Sequence, residues 1–409
     1  MRILHTADWH IGKKLEHYSR IQEQKEVLNE ICEITEQQEV DAVLIAGDLF
    51  DNFNPSTEAI DLFYHTLKRL SNNGKRPVIA ISGNHDSPDR IETADPLARA
   101  CGITFLGYPN SIASNYELET GLKITKSEAG FMEFKIPGKQ IPLRIITTPY
   151  ANEHRLKQQL NSLEKEEDLR VILEQNWKTL AQKHCDKNGI NILATHLFVI
   201  KKGSTAPEEP DDEKPILHVG GAQAIYTENF PEEIQYVALG HLHRKQVINS
   251  NKNIVAYSGS PLSYSFAEAN QKKFVMLVDL EPDATPIVNE IELCKGKKLI
   301  KLKALGIDDA IVKLTENNHH LIELTLETET YITAEERRRL NKIHTGIITL
   351  IPQVKKGHLN DDSTHKNIDI NKGMKELFMD YFKHANGQEP NESILNLLSE
   401  VIAEKEGEE

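Results

Sequence analysis

Residues Ala42-Val43-Leu44-Ile45-Ala46-Gly47-Asp48-Leu49-Phe50-Asp51 carry an unbroken apolar run straight into a Gly-Asp turn. Such a run has no polar face to offer water, so a strand there is covered on both sides, by helices or by a second sheet. That argues for a layered α/β core. The polar residues arrive together beyond the strand's carboxyl end, where open α/β sheets collect functional loops. Working outward, the same order recurs. Arg2–Ala7 runs into Asp8-Trp9-His10, Pro77–Ile81 into Gly83-Asn84-His85-Asp86, Ile190–Thr195 into His196, and Gln235–Leu239 into Gly240-His241-Leu242-His243. Leu143–Thr148, Ile254–Ser258 and Phe274–Val278 are further strand candidates. Within Arg20–Gln38, Ile21, Leu28, Ile31 and Ile34 recur at helical spacing, and Ser56–Leu70 reads as a second amphipathic helix.

The texture changes near Pro282. Leu299–Ala304, Leu321–Leu326 and Ile347–Ile351 look like strands, with a helix over Ala334–His344 started by a Thr333/Glu336 capping box. This predicts a small α+β domain over residues 281–352, after a core over 1–280. Residues 353–372 are polar and read as a linker. Two short helices follow within 373–409, one lined by Leu377, Phe378, Tyr381 and Phe382, the other by Ile394, Leu395, Leu398, Val401 and Ile402. Lys201–Pro215 is loop-like, and no internal repeat is visible.

A chain of 409 residues suits roughly two to three domains. No run approaches the ~18 apolar residues of a membrane span. Met1 leads almost directly into a strand, which leaves no room for a signal peptide. Cys32, Cys101, Cys185 and Cys294 are widely spaced without a CxxC, which suits reduced thiols in a cytoplasmic protein. The net charge of −14 argues against a general nucleic-acid coat protein. It leaves room for an enzyme that binds phosphate through metals, local basic loops or a partner.

Taken singly, most of the polar strand ends have bland explanations. Gly-Asp after a strand is usually a turn, Gly-Asn-His-Asp suits a left-handed Asn, and a lone His196 is more often structural. Gly-His-Leu-His is stronger, because two imidazoles one residue apart in an extended segment share a face. Together they resist that reading. So many Asp and His side chains packed without a cation would leave repelling carboxylates and unsatisfied imidazoles. Mixed carboxylate, amide and imidazole ligation suits manganese, iron or zinc better than calcium. The lack of cysteine ligands argues against a closed structural zinc site.

The order D-x-H, G-D-x-x-D, G-N-H-D, H, G-H-x-H resembles the calcineurin-like metallophosphoesterases. The longer strings HTADWHIGK, AGDLFD, ISGNHDS, THLFV, YVALGHLHR and YSGSPL, all within residues 1–280, are similar to the SbcD nuclease branch. The resemblance implies a β-sandwich flanked by helices, with a small capping domain and C-terminal helices. It implies two divalent metals, most simply manganese, bridged by Asp48. Asp8, His10 and His243 would complete one site; Asn84, His196 and His241 the other. A hydroxide held between the metals would attack the phosphodiester. His85 would face the phosphate and protonate or stabilise the leaving oxygen, oriented by the Asp51 carboxylate, although Asp51 could instead cap the following helix.

For substrate, Lys13-Lys14, Lys201-Lys202 and Arg244-Lys245 follow three of these loops and suggest local phosphate binding. The branch implies a DNA nuclease of repair and recombination, a 3'-5' double-strand exonuclease and single-strand or hairpin endonuclease. It implies a homodimer within a heterotetramer with an SbcC-type ABC ATPase, whose coiled coil the C-terminal helices would engage. No GxxxxGK[ST] occurs, so ATP dependence would come from the partner. A small-nucleotide phosphodiesterase or phosphatase of the same superfamily is the alternative enzyme. A scaffold without chemistry would show decayed ligand positions, and all are filled.

Overall fold

In the computed structural model of the protein, the described residues are 1–156, 165–204, 224–249, 253–329 and 332–354, with 376–379, 381–382, 390, 395 and 398. Met1–Val354 forms one compact unit and Lys355–Glu409 a second. The linker, most of the C-terminal helix positions and most of Lys201–Pro215 lie outside the described residues.

Two sheets stack face to face. In the first, the spatial order is Ile287–Leu293, Lys273–Asp279, Arg2–Thr6, Ala42–Ala46, Val78–Ile81 and Ile103–Leu106. The last four run parallel, and Lys273–Asp279 returns antiparallel beside Arg2–Thr6. The second sheet runs Gln246–Asn249, Ile254–Tyr257, Tyr236–Leu239, Ile190–Thr195, Leu143–Thr148, Phe131–Lys135 and Lys123–Glu128. Its central four strands are parallel. Ile3, Leu44, Ile81, Met132, Ile145, Ile192 and Met276 meet between the sheets. The helices Ile21–Gln37 and Thr57–Leu70 cover the outer face of the first sheet through Val27, Ile31, Phe63 and Leu67. Lys165–His184 covers the second through Leu169, Leu173 and Trp177. The apolar run at 42–46 is buried at every position, as its lack of a polar face requires.

Five strands had no counterpart in the sequence reading: Ile103–Leu106, Lys123–Glu128, Phe131–Lys135, Gln246–Asn249 and Ile287–Leu293. Four are edge strands or neighbour an edge on the antiparallel side of a sheet, and Ile103–Leu106 closes the parallel edge. Their patterns are short or mixed; Lys123–Glu128 buries only Ile124 fully.

Beyond them, Leu299–Leu305, Leu321–Thr328 and Ile347–Val354 form a parallel three-stranded sheet. Gly306–Glu316 and Ala334–Ile343 provide its crossovers, so the small α+β layer is organised as a βαβαβ unit around Ala310, Leu314, Leu324 and Leu340. The capping box is present: Thr333 Oγ1 accepts from Glu336 N at 3.2 Å, and Thr333 N donates to the Glu336 carboxylate at 2.8 Å. Leu15 and Phe266 pack with Leu299, Leu321 and Ile348, which joins this layer to the sandwich.

Candidate metal centre

The parallel strands of both sheets point their carboxyl ends to one edge of the sandwich. There the loops 7–12, 47–51, 83–87, 196–198 and 240–244 converge. Their backbones interlock: Asp8 N donates to Gly47 O at 3.0 Å and His10 N to Asp48 O at 2.9 Å. Asp8, His10, Asp48 and His241 all have positive φ, at 53°, 43°, 46° and 100°. Left-handed backbone at non-glycine residues costs of order 1–3 kcal/mol each and persists where the surroundings over-determine it. The glycines allow the close approach. A Cβ on Gly83 would lie 2.0 Å from Asp48 Oδ1, and one on Gly240 would lie 1.8 Å from Ala46 O.

The side chains form two adjoining clusters. In one, His10 Nε2 and His243 Nε2 are 3.0 Å apart, with Asp8 beside them. In the other, Asn84 Oδ1 lies 3.0 Å from His196 Nε2 and 3.1 Å from His241 Nδ1. Asp48 Oδ2 stands between the clusters, 3.5 Å from His10 Nε2 and 3.3 Å from His196 Nε2. Asp48 Oδ1 accepts from His85 N at 2.9 Å. His196 Nδ1 donates to Ala46 O at 2.8 Å, which leaves Nε2 unprotonated toward the cluster in the neutral ring. Thus the seven expected ligands are brought together, and His85 borders them with its ring 4.9 Å from that of His10.

Asp51 differs from the expected arrangement. His85 Nδ1 is held at 2.9 Å by the Asp51 backbone carbonyl, while the carboxylate accepts from Lys13 Nζ at 3.2 Å. Nor does Asp51 cap the next helix; Ser56 does, its side chain accepting from Ala59 N at 3.2 Å. The turn places Asp51's carbonyl, rather than its side chain, over the His85 ring, a choice of backbone geometry that residue identity does not reveal.

The electrostatics fit divalent cations. Burial pushes the Asp8 carboxyl up to about 7 against the pull of His196 and His243, with Asp48 adding to the rise. Burial would also raise Asp48, but His196 and His10 outweigh it and hold it well below the usual range. His241 is driven down to about 3 by burial and the neighbouring His196. His196 goes the other way, to about 9, because Asp48 and Asp8 overcome its burial. Asp8 Oδ2 and His10 Nδ1 are buried without a hydrogen-bond partner. Two imidazole nitrogens about 3 Å apart also match neighbouring ligands of one ion at metal–nitrogen distances of ~2.1 Å. The donor set therefore fits two divalent cations sharing Asp48.

Several supporting residues gave no signal in the sequence. Asp86 is fully buried; its carboxylate accepts from Leu49 N at 3.0 Å, Phe50 N at 2.9 Å and Gly83 N at 2.8 Å, tying two ligand loops together. Arg155 donates to Gly83 O at 2.7 Å and Asp86 O at 2.9 Å, and its guanidinium lies over the Tyr150 ring. Gln24 Nε2 donates to His10 O at 2.8 Å. Of the basic pairs, Lys245 Nζ is engaged by Glu290 at 2.5 Å, whereas Lys14, Lys201, Lys202 and Arg244 are exposed.

This fold and site define a class. The calcineurin-like phosphoesterase family matches residues 1–245, which hold every expected ligand. The whole chain is 35% identical over 417 residues to SbcD, the nuclease component of SbcCD, from Bacillus subtilis, covering 100% of both chains. SbcD of Rhodobacter capsulatus is 33% identical, covering 75% of this chain and 72% of its own. That of Staphylococcus epidermidis is 30% identical, covering 86% and 85%. The chain belongs to the SbcD family of calcineurin-like phosphoesterases, and is a metal-dependent nuclease of that family.

Proposed function

We propose that the chain cuts DNA at this centre, as the SbcD component of an SbcCD-type complex. The observation that carries the reading is the convergence of five sequence-remote loops, in strained backbone, on one buried set of carboxylate, amide and imidazole donors. Asp8, His10 and His243 hold one ion, Asn84, His196 and His241 the other, and Asp48 both; manganese suits these donors. When bound, the ions make water nucleophilic at neutral pH and offset charge on the phosphate oxygens.

The chain's own residues do the rest. The Asp51 carbonyl can only accept, so His85 Nδ1 carries a proton and Nε2 is left to hold or deliver one at the leaving oxygen. His85 is half-buried at the border of the cluster, where substrate can reach it. Asp51 contributes through its carbonyl, and its carboxylate keeps Lys13 beside the site. Exposed Lys14, Lys201, Lys202 and Arg244 supply backbone-phosphate contacts that a net charge of −14 conceals.

The relatives are components of SbcCD, which supports an SbcC-type partner, an ABC ATPase with a coiled coil contacted by residues 373–409. We read the assembly as a homodimer within a heterotetramer, cytoplasmic and at the nucleoid, with 3'-5' exonuclease and hairpin endonuclease activities in repair and recombination. No helix among the described residues is long and apolar enough to cross a membrane. The test is cleavage of an end-labelled duplex with manganese by wild type and Asp48→Asn. Loss of cutting in the folded variant supports the reading. Hydrolysis of only a small phosphodiester, even with partner and ATP, would make the alternative phosphodiesterase correct.

A further inference from the structure

Beyond residue 245, outside the matched segment, two buried charged residues reach the centre from behind. Glu268 is 1% exposed and Lys273 8%. Glu268 Oε1 lies 3.5 Å from His243 Nδ1 and accepts from Tyr264 N at 2.9 Å. Its other oxygen is bonded by Lys273 Nζ. Lys273 Nζ also donates to His243 O at 3.1 Å and to Ser260 Oγ at 2.9 Å. Both ends of this pair thus act on one residue: the carboxylate stands behind the His243 ring and the ammonium holds its carbonyl.

A buried ion pair is weak evidence for stability, since apolar replacements are often as stable. The pair's placement therefore asks for another reason. We propose that Glu268, pinned by Lys273, is a positioning residue for His243, holding Nδ1–H toward the carboxylate and the Nε2 lone pair toward the ion site shared with Asp8 and His10. His196, in the other cluster, is backed through its Nδ1 by the neutral Ala46 carbonyl at 2.8 Å. A carboxylate behind an imidazole ligand raises its basicity and fixes its tautomer, and losing such a partner typically costs about 10–100-fold in metal affinity. The two sites are therefore unequal, and Glu268 strengthens the one containing His243.

This inference rests on the ligand role proposed for His243, and the experiment separates the two. Metal-free wild type and Glu268→Gln are titrated calorimetrically with manganese. Expected is uptake of two ions by wild type, and in the variant one affinity about 10–100-fold weaker with the other retained. Two ions bound by the variant as tightly as by wild type overturn the inference while the site stands. No ion bound by wild type overturns both. Should Glu268→Gln fail to fold, nitrogen NMR of ¹⁵N-histidine wild type loaded with zinc decides. The His243 signals, identified by their loss in His243→Asn, should show a protonated Nδ1 and a metal-bound Nε2; the reverse assignment overturns the proposal.

Discussion

At the scale of single residues, the proposed division of labour separates chemistry from metal holding. His85→Asn should lower kcat for duplex cleavage by about 10²–10⁴-fold, the usual worth of a general acid or base. Calorimetric manganese affinity should stay near wild type, and its collapse would recast His85 as a ligand. A second residue carries a pH signature for folding. His5 is fully buried, with Nδ1 2.9 Å from Tyr236 Oη and Nε2 3.1 Å from Leu239 O. The carbonyl requires Nε2–H, so Nδ1 accepts from the tyrosine and the ring is neutral. Burial lowers its pKa to about 3. The unfolded chain takes up this proton below pH ~6.5 and the folded one only near 3, so this contribution is full above 6.5 and lost as pH falls between them. Its slope is about 1.4 kcal/mol per pH unit. Urea unfolding of wild type should lose stability faster than His5→Gln from pH 6.5 downward, and parallel curves would remove His5 from the account.

At the scale of elements, the centre depends on how loops are tied, and Asp86 is the main knot. Removing its carboxylate leaves the N–H groups of Leu49, Phe50 and Gly83 without this acceptor. At about 1–3 kcal/mol per unsatisfied buried group, Asp86→Ala should cost on the order of 3–5 kcal/mol in denaturant unfolding. It should weaken metal binding too, because Asp48 and Asn84 lie in the loops it joins. A loss below 1 kcal/mol would show that the loops hold themselves. The motif G-N-H-D was legible, yet the roles within it were not. Asn84 and His85 face the cluster, whereas Asp86 turns inward, because the turn alternates which side chains meet solvent.

At the scale of the whole molecule, the metal-free protein keeps carboxylates buried at the edge where two sheets meet, and cations relieve that cost. Manganese should therefore raise the Tm of the Met1–Val354 unit, by RT ln(1 + [L]/Kd), about 2.7 kcal/mol at a hundredfold excess over Kd. Chelator should reverse the rise, and Asp48→Asn should show little of it. A Tm indifferent to manganese would mean that these residues do not bind it in the folded state. What the sequence alone determined is the set of parallel strands and the donors at their ends. Unbroken apolar runs demand cover on both faces, and polar residues cannot follow them into the core. Only the tertiary structure decided the rest: the antiparallel edges, the carbonyl rather than carboxylate of Asp51 on His85, and the Asp86, Arg155, Glu268 and Lys273 supports. Those depend on contacts between residues far apart in the chain, whose partners become definite only when the two sheets have closed on each other.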